Sequence, residues 1–503
     1  MRDDQDPQEQ ADRNAAAQRP AERARDNDRL ARQRPPAELA VPAPDISPGI
    51  GLAAMGLLLC WIPFVGFLGT LGGLCGLRYL FTSKGDSHFA AVVALLFGLI
   101  ATGAAGLWTV AITRGSCPHV YSYDGKGWHL DADPLSGALL SGAERTDWDR
   151  LESLQPVQGQ YRIRVVGELE ETDYIDEVFL LLAEHPRGTV VLPTLQGELV
   201  SVRDAYPASG ATDAAGRDVL PLVAKADGNV FRSRVADLPP GRGPDPRERL
   251  TLRFARPPSH HAVLWLTAHN TPFAEEAYVR YMATLGPGMG RLMRLAQTST
   301  TYPYAQRVAD ESRRLGLPLV VYLGAAGQGG EAPGSGLALG PLSPAVPRDF
   351  AVPLTLPPGD EPEVTIRLEM TPLFWEIDQV RLAAAPDAPT AAVVLRPRAV
   401  HDAAGRDVRA LVAAAEGRRA VLHKNDYIEA TFDAPPAAGA DSERTVVVAV
   451  RGYYEGEFGG RAFLNPYALL AHHLGLRSLP RFALRWAAER SRSGPSEEAR
   501  TSP

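Results

Sequence analysis

The sequence predicts a membrane-anchored, mainly β protein with a helical insertion: a transmembrane helical hairpin followed by two related β-sandwich-like halves. Three observations carry this reading. Two long charge-free runs lie between residues 46 and 113, short alternating patterns fill the chain from Ser116 onward, and one seven-residue block occurs twice. The 503 residues are 45% hydrophobic with a net charge of −7, enough for several domains whose cores need no disulfide staples. Fifty-two basic residues against 59 acidic ones exclude a polybasic nucleic-acid binder. Three cysteines exclude a disulfide scaffold and a Cys-rich zinc site.

Residues 1–47 mix Arg, acids, Ala, Gln and Pro with almost nothing large and apolar, so they read as a disordered tail. Mixed charge and the late apolar run exclude a signal peptide. Residues 48–113 read as a two-helix transmembrane hairpin. The 32 residues between Asp45 and Arg78 carry no charge, nor do the 25 between His88 and Arg114. A helix needs about 20 such residues to cross the hydrocarbon core, so each run crosses once. Gly69/Gly73 and Gly72/Gly76 form small-xxx-small pairs suited to close helix packing.

The Gly-rich first run broken by Pro63, the link Arg78–Lys84 and the second apolar run resemble the two-helix membrane module that recurs in bacterial proteins. The resemblance implies a bacterial membrane protein and no chemistry. Arg78 and Lys84 in the link then place it in the cytoplasm. The expected location is the plasma (inner) membrane, with residues 116–503 extracytoplasmic.

Residues 116–270 read as a β-rich half that opens with a hairpin, Tyr121 to Leu130, whose turn signal is Asp124-Gly125. Tyr161–Val166, Leu250–Phe254, Val364–Leu368 and Thr445–Val450 alternate as strands. The stretch from Cys117 through Tyr121-Ser122-Tyr123-Asp124-Gly125, with the later Glu144–Leu154, resembles a domain of bacterial envelope proteins and lipoproteins over about residues 117–256. That resemblance implies an outward-facing domain and transfers no activity.

The repeat has four anchors in one order. Ile175-Asp176-Glu177-Val178 matches Ile377-Asp378-Gln379-Val380, and Asp213–Val219 matches Asp402–Val408. Leu222-Val223-Ala224 matches Leu411-Val412-Ala413, and Phe254–Pro258 matches Phe432–Pro436. Within each block Asp218 or Asp407 reads as a helix N-cap. A calcium loop needs roughly six or more oxygen ligands, and the block offers two carboxylates. Residues 271–347 read as a helical insertion with a Gly/Pro-rich loop, 348–460 as the second β-rich half, 461–490 as C-terminal helices and 491–503 as a disordered tail.

No nucleophile elbow, ligand-spaced His or Cys pair, or phosphate loop is present, so no catalytic residue, metal or cofactor is assigned. His472-His473 reads as a surface or capping pair, and the acids of Glu168–Glu177 as a solvated strand edge. The candidate ligand surface gathers Tyr123, Trp128 and Trp148 with Asp124, Asp131 and Asp133, since aromatic faces beside carboxylates suit glycan stacking. The expected function is non-catalytic binding of an envelope polymer or membrane-protein partner, alongside the lipid bilayer. The alternatives are an envelope glycan hydrolase with paired carboxylates, or a structural subunit of a membrane complex.

Overall fold

A computed structural model describes residues 117–493 apart from 235–245, 287, 299–302, 325–335, 343, 387, 389, 416, 437–438, 440 and 457–463. The chain divides into two compact units, Met1–Trp108 and Thr109–Pro503, and all described residues belong to the second. The expected tail 1–47 and transmembrane hairpin 48–113 lie outside the described residues. Among the described residues no helix is long and apolar enough to cross a membrane. The fold class is corrected accordingly: the described fold is a mainly β body, and a membrane-spanning hairpin is no part of it.

The chain first forms β1 (His119–Tyr123), β2 (Trp128–Ala132), β3 (Arg145–Arg150), β4 (Gln160–Val166) and β5 (Glu171–Pro186). A hairpin, β6 (Val190–Pro193) and β7 (Leu199–Val202), leads to β8 (Tyr206–Pro207), β9 (Gly210–Thr212), β10 (Glu248–Ala255) and β11 (His261–Asn270). Helices α1 (Pro272–Leu285), α2 (Met289–Ala296) and α3 (Tyr304–Arg314) follow. Then come β12 (Leu319–Leu323), β13 (Leu337–Leu339), β14 (Arg348–Thr355), β15 (Glu363–Met370) and β16 (Trp375–Ala384). The last strands are β17 (Val393–Leu395), β18 (Ala399–Asp402), β19 (Ala420–Leu422), β20 (Tyr427–Asp433) and β21 (Ser442–Gly456), with the short helix α4 (Arg409–Val412) among them. Helices α5 (Pro466–His473) and α6 (Leu479–Ser493) close the described chain.

Two sandwiches result. In the first, the sheet β18-β20-β4-β1-β2 faces β17-β5-β21-β3 across a core that includes Ile163, Val165, Phe432, Leu180 and Val448. In the second, β9-β10-β15-β12-β13 faces β8-β16-β11-β14 across Phe254, Leu368, Leu266 and Phe350. The orders match strand for strand: β18 with β9, β20 with β10, β4 with β15, and so on through both sheets. Even one irregularity recurs. Opposite Arg451/Gly452, β5 bulges at Asp176, and opposite Thr267/Ala268, β16 bulges at Asp378. The matched Ile-Asp pairs of the sequence are therefore one bulge made twice.

The expected division into one half at 116–270 and another at 348–460 is corrected by this topology. The first sandwich takes β1–β5 from the early chain and β17–β21 from the late chain. The second takes β8–β16, inserted between them. Along the sequence each repeat runs five strands and then its closing strands, and each repeat's closing strands complete the other repeat's sandwich. Local alternation specifies a strand but not which of two similar copies it pairs with, so sequential halves were the natural reading.

The doubled block is a capped turn in both places. Asp213 accepts from the amides of Ala215 and Arg217, and Asp402 from those of Ala404 and Arg406. The second Asp of each block precedes the helical turn by one residue more than an N-cap would: Asp218 accepts from Leu220 N, and Asp407 from Arg409 N, at 2.9 Å.

Hairpin β6–β7 lies between the sandwiches and is apolar on both faces. Leu192, Val200 and Val202 pack on Val263 and Ala383 of the second, and Val191 and Leu199 on Ala183 and Val447 of the first. Beside it a buried polar seam joins edge strands β3 and β14. The Arg348 guanidinium pairs with Asp149, lies 3.9 Å from Asp147 and donates to Trp148 O at 3.0 Å. Burial pushes Asp149 up to about 7, with Arg348 opposing and Asp147 and Asp133 adding to the rise. Replacing Arg348 with Met should cost about 3–5 kcal/mol, because it strands buried carboxylates. The loss, read by chemical unfolding, should be larger at pH 8 than at pH 5, about where Asp149 becomes neutral in the fold.

Candidate functional site

Each repeat ends in helices, and the two sets meet. After β11, Thr271 caps α1 by accepting from Ala274 N, with Pro272 at the first helical position. After β21, Asn465 caps α5 by accepting from Ala468 N, with Pro466 in the same place. Thr271-Pro272-Phe273-Ala274 and Asn465-Pro466-Tyr467-Ala468 are thus a further anchor of the repeat. The four anchors legible in the sequence stop short of it, at Phe254–Pro258 and Phe432–Pro436. Pro at the first helical position after a side-chain cap is a legible start signal in both copies.

Between these helices lies a cavity of about 270 Å³. Met282, Leu285, Met289, Met293 and Leu315 give it an apolar wall, and Leu469 closes it from α5. The loop Ser136–Leu139 and Tyr454 bring the first sandwich to it. Met289 and Met293 are one turn apart on α2, which aims both thioethers inward.

The polar groups of the wall cluster at two places. At the first, His472 bridges Tyr281 and Glu311: Nδ1 lies 2.7 Å from the Tyr281 hydroxyl and Nε2 lies 2.7 Å from Glu311 Oε1. Burial opposes the charge on Glu311, but His472, Arg314 and His473 outweigh it and hold the carboxyl below its ordinary range. His472 is therefore not the surface histidine that an adjacent His pair suggested. Its neighbour His473 is exposed, and α5 turns only one of the two rings inward.

The second cluster is behind Tyr454 and Glu275. Glu171 and Asp173 are two residues apart on β5, so they share a face, and both are buried. Burial and the Asp173 charge push Glu171 up to about 9, and burial raises Asp173 as well. Burial also drives up the Cys117 thiol and the Tyr454 phenol, with Glu171 adding to both. The expected solvated edge is corrected here. β5 is an inner strand, hydrogen-bonded to β21 on one side and to β17 and β19 on the other, so its acids enter the interior. A third carboxyl pair, Glu144 with Asp176, is clamped by Arg419 and Arg451 at 2.8–3.9 Å.

The aromatic and acidic residues singled out in the sequence are not brought together. Tyr123 and Trp128 pair across the β1–β2 hairpin at 5.2 Å, with Arg162 and Arg164 laid over the rings. Asp124 caps that hairpin's turn, accepting from Lys126 N and Gly127 N, and these amides hold its carboxyl down at about 2. Asp131 accepts from Ser153, and buried Asp133 accepts from Ala345 N and Val346 N, pinning a loop of the second sandwich. Trp148 is on the other sheet, edge-on to Phe179 and over Gly197. Among the described residues no group of three or more His, Cys, Asp or Glu is placed to hold a metal ion.

No protein-family model matches the chain, and no curated protein matches it. A solved structure with partial likeness is a GH31 alpha-xylosidase from Xanthomonas citri, 10% identical, with a TM-score of 0.15. The match covers 66% of this chain and 30% of that enzyme, so the chain spans about a third of its length. A TM-score of that size marks no common fold.

The raised carboxyls fix a pH dependence. A carboxyl whose pKa is raised in the fold adds stability below its unfolded pKa and loses it as pH rises through the folded value. The thermal midpoint should therefore fall between about pH 5 and about pH 9, through the range that ends at Glu171. Glu171→Gln, which keeps the shape and removes the charge, should flatten that fall and raise the midpoint at about pH 8. An unchanged slope in the variant would assign the acid preference elsewhere.

Proposed function

We propose that the protein is a non-catalytic binding module whose helical layer holds a single-chain amphiphile. The observation that carries this is the Met-rich cavity. At about 270 Å³ it is near the small end of ligand pockets, which run roughly 300–1,000 Å³. Thioethers are flexible and polarizable, so three Met side chains accept an alkyl chain without a fixed shape. Ser312, Arg314 and His472 supply polar groups for the head. A partly enclosed, mainly apolar cavity of this volume favours such a ligand over the envelope polymer that the aromatic segment suggested, because a polymer needs a long groove.

The hydrolase alternative has less support. Glycoside hydrolysis needs carboxyls about 5 Å apart or more, flanking a bond. Glu171 and Asp173 lie buried in the interior and are both shifted toward the neutral form, and Glu144 and Asp176 are held by two guanidinium groups.

Displacement of a fluorescent fatty acid from the full chain tests the reading. Met293→Trp should weaken binding about tenfold or more, since overfilling a packed site costs about 1–3 kcal/mol. Leu469→Trp, from the opposite wall, should do the same. Trp128→Ala, on the outer sheet of the first sandwich, should leave affinity unchanged. No binding by the wild-type chain, or full affinity in both filled variants, would overturn the proposal.

A further inference from the structure

The repeat exposes an unmatched surface. In α1 the face made by Phe273, Glu276 and Arg280 is covered by α6: Phe273 stacks on Trp486 at 4.9 Å, Arg280 lies over the same ring, and Glu276 pairs with Arg490 at 3.1 Å. Counting from the shared Pro start, the equivalent positions of α5 are Tyr467, Leu470 and Leu474 just past its end. All three are exposed, at 68%, 57% and 60%, and Leu476 beyond them is 69% exposed. At the positions where its twin carries Glu276 and Arg280 to bind a helix, the α5 segment carries leucines.

A second exposed apolar face flanks the same cavity. Helix α2 turns Met289 and Met293 inward and leaves Leu292 and Leu295 in solvent, interleaved with exposed Arg291 and Arg294. Six of the twelve large apolar side chains exposed among the described residues are on α2 and the α5 segment, so the exposure is local. Among the described residues neither Arg291 nor Arg294 has an ion-pair partner. Apolar residues interleaved with arginine on a short helix suit the interface of an anionic bilayer, where leucine enters the acyl boundary and arginine meets phosphate. The ion pair and cation–π contact by which α1 holds α6 have no counterpart at Leu470 and Leu474.

We infer that α2 and the α5 segment dock the protein on an anionic lipid surface, with the cavity between them. The docking rests on exposure and charge. Its use as the route by which the amphiphile enters rests on the cavity reading above.

The full chain is mixed with vesicles of phosphatidylcholine alone, or of phosphatidylcholine with phosphatidylglycerol, and amide exchange is read peptide by peptide. Peptides over 289–296 and 466–476 should gain protection with the anionic vesicles only, while those over 160–166 do not change. Arg291→Ala with Arg294→Ala should weaken the vesicle titration of that protection roughly thirtyfold, at about 1 kcal/mol per arginine. Leu295→Asp with Leu474→Asp should abolish it. Both changes are in exposed positions, and unchanged exchange over 160–166 checks that the variants are folded.

Unchanged exchange at both peptides with anionic vesicles would overturn the inference. So would equal protection by both lipids, or protection that rises with protein concentration without lipid, which would mark a second copy as the occupant. Protection without lipid at all dilutions would assign the face to another segment of this chain and overturn it too. Fatty-acid displacement is read in the same variants. Retained ligand affinity with lost docking separates this inference from the cavity reading, and lost affinity with retained docking does the reverse.

Discussion

The long pairing of β5 with β21, from Glu171–Gly456 to Pro186–Ser442, is the constraint on which the rest depends. It joins residues more than 250 positions apart and closes the first sandwich only after the whole second sandwich has been threaded between its parts. Neither repeat owns a complete sandwich. Each supplies five strands to one and the closing strands to the other, so removing either copy would leave two open cores. Loop closure of this length is paid before its contacts form, which makes the architecture slow to assemble by physical necessity. The same exchange brings the ends of both repeats to one place. Their terminal helices meet there, and the cavity is between them.

The interface created by the exchange is polar at one seam and dry beside it. Hairpin β6–β7 contributes apolar faces to both sandwiches, while Arg348 crosses to Asp149 and Asp133 reaches the amides of Ala345 and Val346. These buried groups answer the cost of burial in different ways. Asp147 keeps its charge because Arg145 and Arg348 outweigh burial, whereas Glu171 and Asp173 lack a cation and are shifted toward the neutral form. The body is therefore tuned toward acid by its interior.

Much of the local structure was legible. Alternation marked β4, the centres of β10 and β15 and a part of β21, and the helical insertion read at 271–347 holds α1, α2 and α3. The paired Asp213 and Asp402 turns fold alike, hydrogen bond for hydrogen bond. What was not legible was partner choice. Glu171 and Asp173 alternate as they would on a solvated edge, but the structure buries both on an inner strand. Tyr123, Trp128 and Trp148 are close in sequence, yet the turn between β2 and β3 sends Trp148 to the opposite sheet. Helix α2 puts Met289 and Met293 on one face. That it borders empty space instead of a filled core depends on α5, almost 200 residues away.

The departures from internal symmetry gather in the helical layer around the cavity. A duplicated fold repeats what stability requires: strand orders, the Asp176 and Asp378 bulges, the capped turns and the Pro-started helices all recur. Three features do not. Only the first repeat inserts α2 and α3 before its partner's strands begin, so only one side of the helical layer carries the Met-rich wall. Among the described residues, α1 has a helix laid on its outer face and α5 does not. Only α5 replaces Glu276 and Arg280 with Leu470 and Leu474. The last change is costly for a solvent-facing helix, because it exposes apolar area while giving up the ion pair and cation–π contact that its twin makes. Among the described residues nothing covers this face, and it lies beside the cavity that Leu469 and His472 of the same helix line.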